Sequence, residues 1–406
     1  MSPCDCSPRC VLRAINPLKI RPARTTSPYV ADLATRLAGY AALAHDPVAP
    51  IIAPDHWTHS EPYYQTVLAA TSALTGAAAL REIADIALRD RIAGLLDRDP
   101  TRTSAARHAV DNADANVFLR HFLGAGYQPV APPIGPARLR SLTWTTRDQV
   151  PGGDEALVVI PFADESGTGK LRNLLACLHA LRDQSMPPDQ YRITVVECGE
   201  LPRGKPAIEP LADDYLHIHD AGAFNKPWTI NVGVRATLGA ARTLCVLDAD
   251  VLPDRDFLAR NHTRFDDPDN DAHLPHTDLL ALDVPASDTA IGRRCVAGEP
   301  HAPVSTLRGL LLRDLPGACL WLRPEVFHRV GGFDERNRGG EDEDMLVRVT
   351  RAASVVQYDD VFLRLAPRAP AMSQAVEPFG DHFDTGSWTG AYGYGDPKGP
   401  IEPWLT

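Results

Sequence analysis

Apolar positions along the chain follow two rhythms. From about Ser27 to Gly124 they recur at helical spacing. Tyr29 to Ala44 is rich in alanine and leucine. Ser60-Glu61-Pro62 reads as a helix start, with proline early in the first turn. The segment after it carries Val67, Leu68, Leu74, Leu80, Ile83, Ile86, Leu88, Ile92, Leu95 and Leu96 on one face, with Arg81, Glu82, Asp85 and Arg89 between them. Gly76 is the point where it divides. A third helix is expected from about Ser104 to Leu123, and the proline-rich stretch from Tyr127 to Pro136 reads as a linker.

From Ala156 the rhythm turns to strand, then helix. Leu157 to Phe162, Tyr191 to Glu197, Asp214 to His219 and Ala241 to Leu247 read as strands. Lys170 to Arg182 and Trp228 to Leu238 read as helices. Such alternation implies a mostly parallel sheet with helices on both faces. Ligands then sit at the carboxyl ends of the strands, where Pro161, Glu197 and Asp248 fall.

The strand ending at Leu247 runs into Asp248-Ala249-Asp250. In extended chain, residues i and i+2 point the same way. Two carboxylates on one face repel unless a positive charge lies between them, and Mg²⁺ or Mn²⁺ suits such hard ligands. Two solvated loop acids are the plainer alternative. A second stretch, Pro316 to Val349, holds a small-residue strand, a short helix and a Gly331-Gly332-Phe333-Asp334 turn. Gly339-Gly340 and four acids follow, then an amphipathic helix marked by Met345, Leu346 and Val349. Glu341 to Asp344 crowd the start of that helix, where its dipole favours negative charge.

Composition narrows the partners. The 406 residues suffice for two domains. A formal net charge of -11 argues against nucleic acid or an anionic membrane as the main partner. The apolar stretch Val67 to Leu80 is 14 residues long, short of the roughly 20 a membrane span needs, so no transmembrane segment is expected. The start, MSPCDCSPRC, has no apolar signal core. Of eight cysteines, Cys177, Cys198, Cys245, Cys295 and Cys319 are scattered, as in a reducing, cytoplasmic setting. Cys4, Cys6 and Cys10 lack the number and spacing of a structural zinc site and fall in an Arg- and Pro-rich tail.

Two tempting motifs fail. Gly167-Thr168-Gly169-Lys170 lacks the first P-loop glycine, with Asp164 in its place, and Leu171 follows the lysine. Asp248-Ala249-Asp250 does not open an EF-hand, because Ala259 stands where glutamate is needed.

Four pieces together resemble the GT-A glycosyltransferases, particularly the inverting family-2-like and galactosyltransferase-like enzymes. They are Val158-Val159-Ile160-Pro161; Asn225-Lys226 with Asn231-Val232-Gly233; Asp248-Ala249-Asp250; and Gly331-Gly332-Phe333-Asp334 with Gly340-Glu341-Asp342. The resemblance covers about residues 155 to 385 and implies an α/β fold, a GT-A nucleotide-sugar-binding, mostly parallel sheet with helices on both faces; the periodicity before it predicts an all-helical N-terminal domain, which the resemblance does not cover. The boundaries expected are 1–26 for a disordered tail, 27–150 for helices and linker, 151–385 for the catalytic domain and 386–406 for a glycine- and aromatic-rich tail or lid. It implies a nucleotide-diphosphate sugar as donor, usually UDP-linked, a hydroxyl acceptor, and Mn²⁺ or Mg²⁺. Pro161, Glu197, Lys226 and Asp248 are then donor-binding, with Glu197 reading the base. Asp250, with Asp248, holds the metal. Asp342 is the general base of an inverting transfer, and Glu341 holds the acceptor.

Two departures stand out. Relatives often carry a histidine metal ligand past the acidic helix, but the strand there reads Val361-Phe362-Leu363-Arg364-Leu365. His382 is the nearest substitute. His273 and His276 are spaced for a metal but read as part of an acidic, polar loop. Arg338 stands where galactosyltransferase-like relatives have a tryptophan, which points to an anionic acceptor or to an ion pair within the protein. A non-catalytic sugar-nucleotide or glycan-binding protein on the same fold, and a nucleotidyltransferase, are the rival readings.

Overall fold

The computed structural model describes residues 20–22, 29, 31–45, 50, 54–76, 85–128, 131–142, 155–164, 170–337 and 339–366. Cys4, Cys6, Cys10, Arg338, His382 and the 386–395 segment lie outside the described residues.

The strands in chain order are β1 (Ile20–Pro22), β2 (Leu119–Leu123), β3 (Ala156–Phe162), β4 (Tyr191–Gly199), β5 (Asp214–His219), β6 (Thr243–Leu247), β7 (Ala272–Leu274), β8 (Asp278–Leu282), β9 (Arg308–Arg313), β10 (Cys319–Leu322), β11 (Val355–Gln357) and β12 (Leu363–Arg364). Eight of them form one sheet in the order β1-β11-β7-β10-β6-β3-β4-β5. Strand β10 runs antiparallel to both neighbours, and the other pairs are parallel. The strand-then-helix rhythm gives this α/β arrangement.

The principal helices are α1 (Leu33–Ala44), α2 (Pro54–Thr75), α3 (Asp85–Leu96), α4 (Pro100–Asn116), α5 (Pro136–Arg140), α6 (Lys170–Arg182), α7 (Lys205–Ile208), α8 (Lys226–Thr237), α9 (Phe257–Thr263), α10 (Val284–Ile291), α11 (Pro324–Val330) and α12 (Glu341–Ala352). Period-two alternation sorts strand side chains between two cores. Val158, Ile160 and Cys245 face α6, whereas Leu157, Val159 and Val246 face α8, α11 and α12. Helix α8 lies close against the sheet because residue 233 is glycine. A Cβ there would come within 2.7 Å of both Val159 and Val196.

A second sheet has the order β12-β8-β9-β2. Here the chain departs from its expected pattern. Leu119–Leu123 is not the end of a third helix; α4 stops at Asn116 and the segment pairs antiparallel with β9. Leu119, Phe122 and Leu123 have the i, i+3, i+4 spacing of a helical face, which explains the helical expectation, yet all three are buried in the strand. Gly76, with φ of +86°, ends α2 as a helix-stopping glycine does.

The proline-rich stretch is tied down rather than loose. Gly124 and Gly126 donate to Leu307 and Ser305 carbonyls at 2.8 and 2.7 Å. Tyr127 Oη donates to Asp283 at 3.0 Å, and Ile134 N to Asp288 at 3.2 Å. Tyr29, from the far N-terminal side, donates to Phe362 O at 3.0 Å and accepts from Phe362 N at 2.8 Å. Residues of α1 such as Leu37 and Leu43 share one buried core with Leu310 and Leu312 of β9. Among the described residues no helix is long and apolar enough to cross a membrane.

A chain starting at Leu142 loses β2 and leaves β9 as a bare sheet edge, a site for aggregation. We expect it to be poorly soluble or to melt about 5 °C or more below the full chain. Differential scanning calorimetry of both forms checks this; equal Tm and solubility make residues before 142 dispensable for folding.

Candidate functional site

The site grows from the end of β6. Side chains at 244 and 246 face the α8 layer, and Asp248 continues that phase. There it meets Lys226, the first residue of α8. Asn225 caps that helix by accepting from Trp228 N at 3.1 Å, which fixes where Lys226 begins. Lys226 Nζ lies 2.8 Å from Asp248 Oδ1, 2.8 Å from Asp342 Oδ2 and 3.8 Å from Glu341 Oε1. Glu341 and Asp342 open α12, after Gly340 at φ +82°.

One ammonium, 16% exposed, thus serves three carboxylates. Burial alone lowers the pKa of Lys226, but Asp248, Asp342 and Glu341 outweigh it and hold the ammonium charged. The acids are pushed apart. Burial raises Asp248, yet Lys226 and Arg364 bring it below its usual value. Burial also raises Asp342. Lys226 pulls it back, Asp248 and Glu341 push it up again, and it ends at about 6.

Asp250 goes elsewhere. Residues 248–251 form a turn, with Val251 N 3.3 Å from Asp248 O, so the two aspartates do not lie on one extended face. Asp250 Oδ2 accepts from Arg364 Nε at 2.8 Å, and its carbonyl accepts from Leu365 N at 2.8 Å. Its Oδ1 is buried and has no hydrogen-bond partner. Burial works against the charge of Arg364, while Asp250, Asp248 and Asp342 raise its pKa further above its usual value. Arg364 went unassigned in the sequence; the signal was its place in the strand where a histidine was sought.

A glycine framework seats these groups. Gly332 has φ +71°, and a Cβ there would lie 2.7 Å from Asn231 Oδ1. That oxygen accepts from Phe333 N at 2.9 Å, while Asn231 Nδ2 donates to Phe333 O and Glu335 Oε1, both at 2.9 Å. The Asn231 and Gly331-Gly332-Phe333-Asp334 pieces are therefore one interlocked unit. Gly317 touches Asp342 directly: a Cβ there would sit 2.6 Å from Asp342 Oδ2. A cleft of about 480 Å³ opens beside this unit, lined by Asn225, Trp228, Asn231, Asp334, Arg336 and Arg348.

Pro161 is buried at the end of β3, opposite Val196 of β4. Glu197 is buried one residue on; its oxygens accept from Gly204 N, at 2.9 Å for Oε1, and from Tyr215 Oη. It holds the 199–204 turn against β5. His273 and His276 are not in a polar loop. His273 lies in buried β7, parallel to the Trp321 ring, and His276 stacks on Phe362 at 4.2 Å. Among the described residues no group of three or more His, Cys, Asp and Glu side chains is placed to hold a metal ion.

The chain is similar to glycosyltransferases. It is 26% identical over 226 residues to the pre-mycofactocin glycosyltransferase of Mycobacterium tuberculosis, covering 52% of this chain and 43% of that protein. It is 27% identical over 217 residues to the O-antigen chain rhamnosyltransferase RfbN of Salmonella typhimurium, covering 52% of this chain and 66% of that one. The chain thus spans less than two thirds of either relative. No family model matches it. A solved mannosyltransferase from Pyrobaculum calidifontis aligns over 57% of this chain and 62% of its own at 17% identity, with a TM-score of 0.36, too distant to bear on the chemistry.

Asp342 binds its proton more tightly when folded, at about 6 against a usual 3.8. Its contribution to stability is therefore full below about pH 4 and is lost as pH rises through 6. Asp342→Asn removes that dependence. Thermal melts of both forms between pH 4 and 7 should show the wild type losing ground to the variant as pH rises; parallel curves would contradict the raised pKa.

Proposed function

We propose that this protein transfers a sugar from a nucleotide-diphosphate sugar to an acceptor hydroxyl, with inversion at the anomeric carbon. The observation that carries this reading is the meeting of Asp248, Glu341 and Asp342 on Lys226 at the carboxyl end of the sheet. Similarity to two glycosyltransferases supports it.

In this reading Asp342 accepts the acceptor's hydroxyl proton as that oxygen attacks the anomeric carbon. The bond from that carbon to the phosphate oxygen breaks, and the nucleoside diphosphate leaves. Lys226 engages Asp342 through Oδ2, so in this reading Oδ1 would take the proton. A base with a pKa of about 6 is poised for work near neutral pH. Glu341, 3.8 Å from the same ammonium, would hold the acceptor. Lys226 orients Asp248 and Asp342, and the buried Glu197 shapes the nucleotide end by holding Gly204.

A hard cation fits the donor set. Asp250 Oδ1 is a buried oxygen without a partner, and Asp248 is held ionised nearby. Mg²⁺ commonly takes one or two carboxylates and fills its remaining positions with substrate phosphate and water, and Mn²⁺ favours the same oxygen ligands. Asp250 and Asp248 are the residues that would hold it, and it would supply positive charge to the leaving diphosphate.

Three measurements test the reading. Screening nucleotide sugars for nucleotide release should find a donor, and EDTA should abolish its turnover until Mn²⁺ or Mg²⁺ is restored. Asp342→Asn should lower kcat by about 10²–10⁴-fold with donor affinity little changed. Asp250→Asn, which keeps the shape, should weaken cation-dependent donor binding. Full turnover in EDTA removes the cation from the scheme, and wild-type kcat in Asp342→Asn removes the base.

A further inference from the structure

The turn at 248–251 is shaped by β12 as much as by its own residues. Leu252 N donates to Leu363 O at 3.0 Å, Leu365 N donates to Asp250 O at 2.8 Å, and Val251 bridges antiparallel to Arg364. Where β12 lies, the turn must follow. Yet β12 is two residues long, and its ladder to β8 has two residue pairs, Leu363 with Leu280 and Arg364 with Ala281. So short a strand needs holding at both ends. Past its end, Ala366 N donates to Ser287 Oγ at 2.9 Å and Asn173 Nδ2 to Leu365 O at 3.1 Å. Before its start, a holder comes from 333 positions away. The Tyr29 hydroxyl accepts from Phe362 N at 2.8 Å and donates to Phe362 O at 3.0 Å, an oxygen to which Leu280 N also donates. Tyr29 thus adds a rung one residue ahead of the ladder. It is buried, with its ring edge-on to Phe122 of β2 at 5.7 Å.

We propose that Tyr29 is a positioning residue for the turn that carries Asp248 and Asp250: its hydroxyl fixes the start of β12, and β12 fixes the turn. The effect on turnover rests on the transferase reading above; the effect on the turn does not. Residue 29 lies outside the stretch, about 155 to 385, that resembles a glycosyltransferase, so the N-terminal helices enter the scaffold of the site through a contact of this chain's own. Alternate residues of a strand send their main-chain groups to opposite sides. Phe362 bonds toward Leu280 and Tyr29, whereas Leu363 and Leu365 bond toward the turn. A displacement at Phe362 therefore reaches the turn through one or three peptide units of a strand too short to absorb it. Phenylalanine at 29 keeps the ring and its packing on Phe122 but removes the acceptor of a buried amide, which is the costly way to lose a hydrogen bond.

The experiment is hydrogen exchange of the full chain read by mass spectrometry, for the wild type, Tyr29→Phe and Tyr64→Phe. Tyr64 is the control: it is buried in α2 and its hydroxyl donates to Leu119 O, so its loss also removes a buried hydroxyl from the N-terminal helices. In Tyr29→Phe the peptide spanning 248–253, which holds the Leu252 amide, should exchange about tenfold faster. In Tyr64→Phe it should keep the wild-type rate. With a donor found by screening, and each form assayed at the same interval below its own Tm, Tyr29→Phe should lower kcat by about 10–10²-fold and Tyr64→Phe should leave it near the wild-type value. Unchanged exchange at 248–253 in Tyr29→Phe overturns the proposal. An equal rise in Tyr64→Phe does so too, since that is general loosening, as does wild-type kcat in Tyr29→Phe. Should Tyr29→Phe fail to fold, the wild type in rising urea decides. The 248–253 peptide should lose protection no later than α1, whose release frees Tyr29, and protection that outlasts α1 overturns the proposal. Exchange needs no donor, so the expected exchange pattern in a protein that turns over no nucleotide sugar removes the transferase reading and keeps the role of Tyr29 in the turn.

Discussion

The site depends on a single ammonium held among three carboxylates. A buried lysine is costly unless it is paired, and three acids at one helix start and one strand end are costly without a cation. Each side of this arrangement removes the penalty of the other. Truncating Lys226 would leave Asp248 and Asp342 facing each other with little water between them, so the ammonium is the condition under which they stand together. Their other neighbours make them unlike: Arg364 lowers Asp248 further, while Asp248 and Glu341 push Asp342 up to about 6.

The approach of α12 to β6 rests on what is missing as much as on what is present. Gly317 has no Cβ where Asp342 passes, and Gly332 takes a backbone conformation that other residues resist, locked by Asn231. Gly233 lets α8, and with it Lys226, lie on the sheet. Three glycines from three segments therefore set distances between acids and lysine that none of them contacts through a side chain.

Much of this was legible in the sequence because it is local. The β-branched run Val158 to Ile160, closed by Pro161, reads as a buried strand, and Glu341 to Asp344 announce a helix start. The order of the four short pieces pointed to one site, and Lys226, Asp248, Glu341 and Asp342 do come together. What was not legible depends on partners far along the chain. Asp250 and Arg364 are separated by 114 positions. Nothing local marks Leu119–Leu123 as a strand, since its partner is β9. The turn at 248–251 is a tertiary effect as well: the chain bends where Leu365 N takes the Asp250 carbonyl, and the extended reading of Asp248-Ala249-Asp250 fails there. His273 misled because its neighbours in sequence are acidic whereas its neighbours in space are aromatic.

The pairing of Tyr29 with Phe362 spans 333 positions. A ribosome adding roughly 5–20 residues per second takes on the order of 20–70 s to cover that distance. Throughout that interval the Tyr29 hydroxyl lacks its Phe362 partners, although α1 already has β2 to pack against. Parallel pairing such as that of β12 with β8 is slow in any case, because distant segments must meet before contacts repay the loss of chain freedom. The turn at 248–251 is thus completed only when Arg364, 114 positions further on, has been made.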